Sequence, residues 1–180
     1  MIQTINSFDQ IKLKPNTLVL SDIDETILKF DPIDGTWWRK QFDLHYQINK
    51  DYDAADTYAQ DKCVEIVSIH KPTHTDSIGF FRLIERIKRS TSSLEFITAR
   101  DNKLIPYTQK HFEDLNLNYM DWIVHHLSGQ SKGQYIQSNF KLNNYDHIIF
   151  IDDLDHNLQS VLDNVKHPSL TIYKFQANHT

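Results

Sequence analysis

Four short apolar runs constrain this chain most. They are TLVLSD (17–22), LEFIT (94–98), HIIFID (147–152) and SLTIYKF (169–175), rich in Val, Ile, Leu, Phe and Tyr and with little alternation. Runs of this kind are expected of parallel strands covered on both faces. DWIVHH (121–126) is a weaker fifth candidate. Helical periodicity fills the gaps between them. Thr75 or Asp76 can cap a helix with Phe80, Phe81, Ile84 and Ile87 on its apolar face and Arg82, Glu85, Arg86 and Arg89 toward water. Residues 103–115 and 132–140 are further amphipathic segments, and Asp155 can cap a last helix over Leu158, Val161 and Leu162. Strands alternating with helices in this way predict an α/β fold with an open, doubly wound, mostly parallel sheet.

One stretch departs from that rhythm. Residues 30–74 carry no strand signal, yet they are aromatic and polar rather than low in complexity. A structureless loop of that length is improbable in a compact domain. Trp37, Trp38, Phe42, Leu44 and Tyr46 suggest one helix, and Tyr58, Cys63, Ile66 and Val67 another. The expected organisation is a core of residues 1–29 and 75–180, interrupted after its first strand by a helical insertion, 30–74.

The length of 180 residues suits one such domain, and the net charge of -5 gives no global pull toward nucleic acid or an anionic membrane. A single cysteine, Cys63, excludes an intramolecular disulfide and a zinc site built on cysteines. No signal peptide and no bilayer-length apolar run is read, so a cytoplasmic location is expected.

The strand ends carry the chemistry. In LVLSDIDETIL, Asp22 and Asp24 stand two apart, so on extended chain both carboxylates face one side. Thr98 closes the second run, and Asp152 closes the third with Asp153 behind it; Lys132, in SKG, opens a helix. Ligands of open parallel sheets bind beyond the carboxyl ends of the strands. Clustered carboxylates repel by roughly 4 kcal/mol per pair at 4 Å and an effective dielectric of 20. A hard divalent cation relieves that repulsion and clamps phosphoryl oxygens. One carboxylate can then act as nucleophile and another as general acid/base.

Order, spacing and context resemble the four motifs of the haloacid-dehalogenase superfamily: DIDETIL, FIT, the lysine of SKG, and the acidic pair of IIFIDD. The likeness runs from about residue 18 to 158. The TAR form of the second motif and the run FIDDLDHNLQSV resemble a bacterial and viral subgroup. The resemblance implies a phosphatase with Asp22 as nucleophile and metal ligand. It implies Asp24 as general acid/base with its backbone carbonyl on the metal, Thr98 and Lys132 on the phosphoryl group, Asp152 on Mg2+, and Asp153 on a metal-bound water. The insertion matches the place of a small helical cap.

Plainer readings stand beside these. Asp22 and Asp24 could be surface charges, Lys132 a solvated first-turn residue, and Asp153 a structural cap. Arg100 could reach a leaving group or pair with Asp101 or Asp31. Asp155 and Asn157 are read as capping the last helix and orienting the acidic loop. The histidines, His70, His74, His125 and His126 among them, form no metal-binding spacing. Trp37 and Trp38 could line a cleft or anchor the insertion. A small phosphorylated substrate is expected. The alternatives are a phosphatase of nucleic-acid ends, using the basic stripe Arg82, Arg86, Lys88 and Arg89, or a binding module without turnover. A receiver-type signalling domain would carry its acidic pair before the phosphorylated Asp, whereas here it comes last.

Overall fold

Side-chain alternation within the strands divides the core in two. On β2 (Thr17–Ser21) Val19 faces one apolar cluster while Leu18 and Leu20 face the other; on β7 (His147–Asp152) Ile149 and Ile151 oppose Ile148 and Phe150. Strands so buried on both faces need helices on both sides. The computed structural model, which describes residues 2–31, 33, 36–118 and 121–177, supplies them. Helices α3 (Ser77–Lys88) and α4 (Ile105–Asp114) cover one face through Phe80, Leu83, Ile84 and Phe112. Helices α5 (Lys132–Asn139) and α6 (Asp155–Asn164) cover the other through Ile136, Leu158 and Val161.

With β1 (Ile2–Ile5), β5 (Ser93–Thr98), β6 (Ile123–His126) and β8 (Leu170–Phe175), the sheet has six strands in the order β1-β8-β7-β2-β5-β6, every pairing parallel. From β2 the chain first builds outward through β5 and β6, then returns to the opposite side with β7 and β8. The order therefore reverses at β2, and the crevice at such a reversal lies beyond the strand ends. The four strong runs and the weaker fifth all form strands. β1 was not anticipated, because IQTI is short and half polar; it pairs as an edge and leads to Phe8, which stacks on Phe175 (4.6 Å) and packs tilted against Phe80 (5.1 Å).

Residues after β2 leave the core by a short antiparallel ribbon of β3 (Leu28–Lys29) and β4 (Thr73–His74), a strand pair that the sequence reading lacks. Between the two lie α1 (Trp37–Asn49) and α2 (Tyr52–Ile69). Lys50 turns through a left-handed conformation (φ 55°), and Asp51 caps α2 by accepting from the Ala54 amide. Phe42 stacks on Trp38 (5.5 Å), meets Tyr52 edge-on (4.9 Å), and packs with Ala55 and Ala59. Trp38 thus belongs to the seam between these helices. Val67, with Cys63 and Val64 beside it, packs against the main core.

Two expected caps resolve differently. Asp76 caps α3, accepting from Gly79 with one oxygen and from the Phe8 amide with the other. Asp155 does not cap α6: it is the first helical residue, Leu154 holds the cap position, and the Asp155 carboxylate pairs with Lys174 (2.6 Å).

Gly133 shows how closely α5 and α6 approach. A methyl group there would collide with the Ser160 carbonyl, and the Ser160 hydroxyl already bonds Ser131 Oγ (2.7 Å) and accepts from the Gly133 amide (3.2 Å). Overpacking at such a contact costs about 1–3 kcal/mol. Gly133→Ala should therefore lower the unfolding free energy by that amount and move the urea midpoint downward; an unchanged midpoint contradicts the contact.

Candidate active site

The site grows from the end of β2. The Asp22 amide continues the β2–β7 pairing by donating to the Ile151 carbonyl (2.9 Å). The chain then folds back sharply: the Ile27 and Leu28 amides both donate to the Ile23 carbonyl, and Glu25 takes a left-handed conformation (φ 55°). A non-glycine residue there is uncommon and needs surrounding structure to hold it. This tight loop presents Asp22 and Asp24.

Lys132, the first residue of α5, reaches back under the sheet edge. Its ammonium, 1% exposed, donates to Asp22 Oδ1 (2.5 Å) and Asp152 Oδ2 (2.7 Å). The other Asp152 oxygen accepts from the Leu154 amide (2.9 Å) and Asn157 Nδ2 (3.1 Å). Asn157 therefore orients the acidic loop, as expected, but by holding Asp152 rather than by capping. Buried Lys132 is held charged: desolvation opposes the ammonium, and Asp152 and Asp22 together outweigh it, raising its pKa. Burial pushes Asp22 up to about 7, with the neighbouring Asp152 and Asp24 charges adding to the rise against Lys132. Asp153 is pushed up to about 9 by burial and then by Asp22 and Asp152. One ammonium does not satisfy three carboxylates.

Among the described residues, Asp22, Asp152 and Asp153 are the group whose carboxylate oxygens lie within 4.8 Å of one another, close enough to share an ion. All its donors are hard oxygens, which fit Mg2+ and not a softer metal. No histidine belongs to this group. His125 instead pairs with Glu95 (2.8 Å) and Tyr135 (3.0 Å), and His74 bonds the Leu115 carbonyl.

Asp24 stands differently. Its side chain is 42% exposed, and both carboxylate oxygens accept from Arg100: Nε to Oδ2 (2.8 Å) and Nη2 to Oδ1 (2.7 Å). Burial works against its charge, but the Arg100 guanidinium prevails and holds the carboxyl below its usual range. Arg100 thus takes neither Asp101 nor Asp31 as its partner. Thr98, fully buried at the end of β5, lies one strand over from Asp22, and its hydroxyl accepts from the Arg100 amide (3.1 Å). The structure therefore joins Asp22, Lys132 and Asp152 directly with Asp153 beside them, and sets Asp24 on the loop after β2 and Thr98 at the end of β5.

His111 escaped the sequence reading. It is buried and bonds both Arg100 and the Val67 carbonyl. Its signal was present: Leu104, Thr108, His111, Phe112 and Leu115 recur at helical spacing and are all buried. The basic stripe on α3 is largely engaged within the chain. Arg82 pairs with Asp9, Arg86 donates to the Ile11 and Phe8 carbonyls, and Arg89 pairs with Glu85. Among the described residues, no helix is long and apolar enough to cross a membrane.

A family model described as a protein of unknown function (DUF2608) matches residues 97–179. No curated protein matches the chain. Among solved structures, the chain is similar to the HAD domain of effector protein Lem4 from Legionella pneumophila, an inactive mutant. That match has 12% identity and a TM-score of 0.54, and covers 93% of this chain and 89% of the other. It is also similar to a protein described as a haloacid dehalogenase-like hydrolase from Burkholderia xenovorans, at 12% identity and a TM-score of 0.50, covering 92% and 86%. Together with the all-parallel six-stranded sheet and its reversal at β2, these likenesses show that the chain has the haloacid-dehalogenase-like fold.

Proposed function

We propose that the chain is a magnesium-dependent phosphatase that hydrolyses a phosphate monoester through an aspartyl-phosphate on Asp22. The observation that carries this reading is Lys132, buried and bonded to both Asp22 and Asp152 at the carboxyl end of the central strands. Asp22 and Asp152, with the Asp24 backbone carbonyl, would hold the ion, and Asp153 would reach it through water. When bound, Mg2+ would offset the crowded negative charge and polarise the phosphoryl oxygens.

The side chains divide the remaining work. An Asp22 oxygen attacks phosphorus in line as the bond to the leaving oxygen breaks, and Asp24, ionised beside Arg100 until it takes up a proton from solvent, passes that proton to the leaving oxygen. Water, losing a proton to Asp24, then attacks phosphorus and releases inorganic phosphate and the Asp22 carboxylate. Lys132 and the Thr98 hydroxyl donate to the phosphoryl oxygens throughout. The 42% exposure of the Asp24 side chain, which lies outside the Lys132 contacts, supports its role at the leaving group. In this reading residues 30–74 act as a small cap over the site, and the substrate is a small phosphorylated molecule. The engaged arginines of α3 support that choice over a nucleic-acid end.

Turnover of p-nitrophenyl phosphate with MgCl2 should stop on adding EDTA. Asp22→Asn should lower kcat by at least about 1,000-fold, in keeping with loss of a nucleophile. An Asp22→Asn protein with wild-type kcat contradicts the assignment.

The raised carboxyls also set a pH dependence. In the metal-free protein, Asp22 and Asp153 hold protons up to about 7 and about 9, whereas the unfolded chain releases them near the ordinary value of 3.8. Their contribution to stability is full below that ordinary value and is lost as pH rises through the folded pKa values. Between pH 7 and 9 the metal-free melting temperature should therefore fall, and MgCl2 should raise it more at pH 9 than at pH 7. Differential scanning fluorimetry checks this; a magnesium effect independent of pH contradicts it.

A further inference from the structure

Asp24 is gripped from behind by groups that the reaction above leaves unused. The Arg100 side chain is 4% exposed, and it offers its fork to both Asp24 oxygens. Its remaining nitrogen, Nη1, donates to Thr108 Oγ1 (3.0 Å) and to His111 Nδ1 (3.2 Å). A guanidinium only donates, so His111 Nδ1 must accept and the ring proton sits on Nε2. That Nε2 donates to the Val67 carbonyl (2.9 Å), in the last turn of α2, where helix carbonyls lack partners of their own. Phe30, just after β3, sets its ring against the same pair: 5.1 Å from the His111 ring, edge-on, and 6.0 Å from the guanidinium.

Both ends of the two-helix segment, Phe30 and Val67, therefore meet the same buried Arg–His pair. Behind Asp24, the contacts of Arg100 and His111 with Thr108 and Val67 are buried, so that part of the line is set by packing rather than by water. We propose that Arg100 and His111 are positioning residues through which the seating of the two-helix segment on the core aims the Asp24 carboxylate. The bidentate fork fixes the plane of the carboxylate as well as its place, which a single bond does not do. A shift of α2 that draws the Val67 carbonyl away removes the partner of His111 Nε2, and the ring, the guanidinium and the carboxylate follow. The inference rests on Asp24 being the acid/base of the proposed reaction, but the coupling itself does not require turnover.

The test uses the full chain and two readouts. With p-nitrophenyl phosphate and MgCl2, Arg100→Met should lower kcat by roughly 100-fold and leave KM within roughly three-fold, the mark of a misplaced reacting group. Arg100→Lys should not restore it, because an ammonium offers no fork. His111→Phe should lower kcat by roughly 10-fold, while His111→Gln, whose amide oxygen can accept from Arg100 and whose NH2 can donate to the Val67 carbonyl, should return it to within roughly three-fold of wild type. Hydrogen exchange supplies the second readout. Arg100→Met and His111→Phe should each loosen the amides of the last turn of α2 while the strands keep their protection. Wild-type kcat in both Arg100→Met and His111→Phe overturns the proposal, and so does unaltered exchange in α2. If the wild type turns over no phosphate ester, the proposed reaction fails and the exchange readout still decides the coupling. If His111→Phe does not fold, the Arg100 pair and His111→Gln carry the same comparison.

Discussion

A lysine with almost no access to water, lodged between two aspartates from different strands, is the interaction on which the site depends. Isolated, such an ammonium could not stay charged in a protein interior. Asp22 and Asp152 hold it charged, and it in turn offsets part of their repulsion. The compensation is incomplete, since Asp153 stands in the same group and both Asp22 and Asp153 are pushed toward their neutral forms. The cluster thus has the electrostatics of a cation site as well as the hard oxygen donors of one. Three carboxylates share one ammonium there, while Asp24 stands apart on Arg100.

The fold exists in the form that makes this contact possible. Strand alternation buries both faces of the sheet, so polar chemistry is confined to its edges and ends. The reversal of strand order at β2 sets β5 on one side and β7 on the other, bringing Thr98 and Asp152 to the flanks of Asp22. The interlock of Ser131, Gly133 and Ser160 fixes the start of α5 against α6 and so places Lys132. Bonds from Leu154 and Asn157 orient Asp152. Lys132 and Asp152 are thus held from outside the cluster.

Much of this was legible in the residues. The four apolar runs became the central strands because parallel strands buried on both faces have a composition unlike anything else in the chain. The acidic and hydroxyl residues at their ends were legible because topology alone brings such ends together. What escaped detection depends on tertiary contacts. The polar alternation of β1 looks like loop until β8 lies beside it, and the β3–β4 ribbon is too short to carry a pattern. Asp155 resembled a cap because Asp is a good one, yet the chain enters α6 with Leu154 at the cap position, and Lys174 attracts the carboxylate. The partner of Arg100 was out of reach because it lies 76 residues away; the nearby Asp101 and Asp31 looked as plausible. His111 lay within an apolar stripe, where a histidine reads as filler until its two bonds are seen.

In the proposed reaction the phosphoryl group passes through residue 22. Turnover of p-nitrophenyl phosphate by the Asp24→Asn protein, quenched with borohydride and followed by peptide mass spectrometry, tests it directly, because an acyl phosphate is reduced while an untouched carboxylate is not. A reduced side chain is expected at residue 22. Reduction at another carboxylate, or release of p-nitrophenol by this variant with residue 22 never modified, would contradict it.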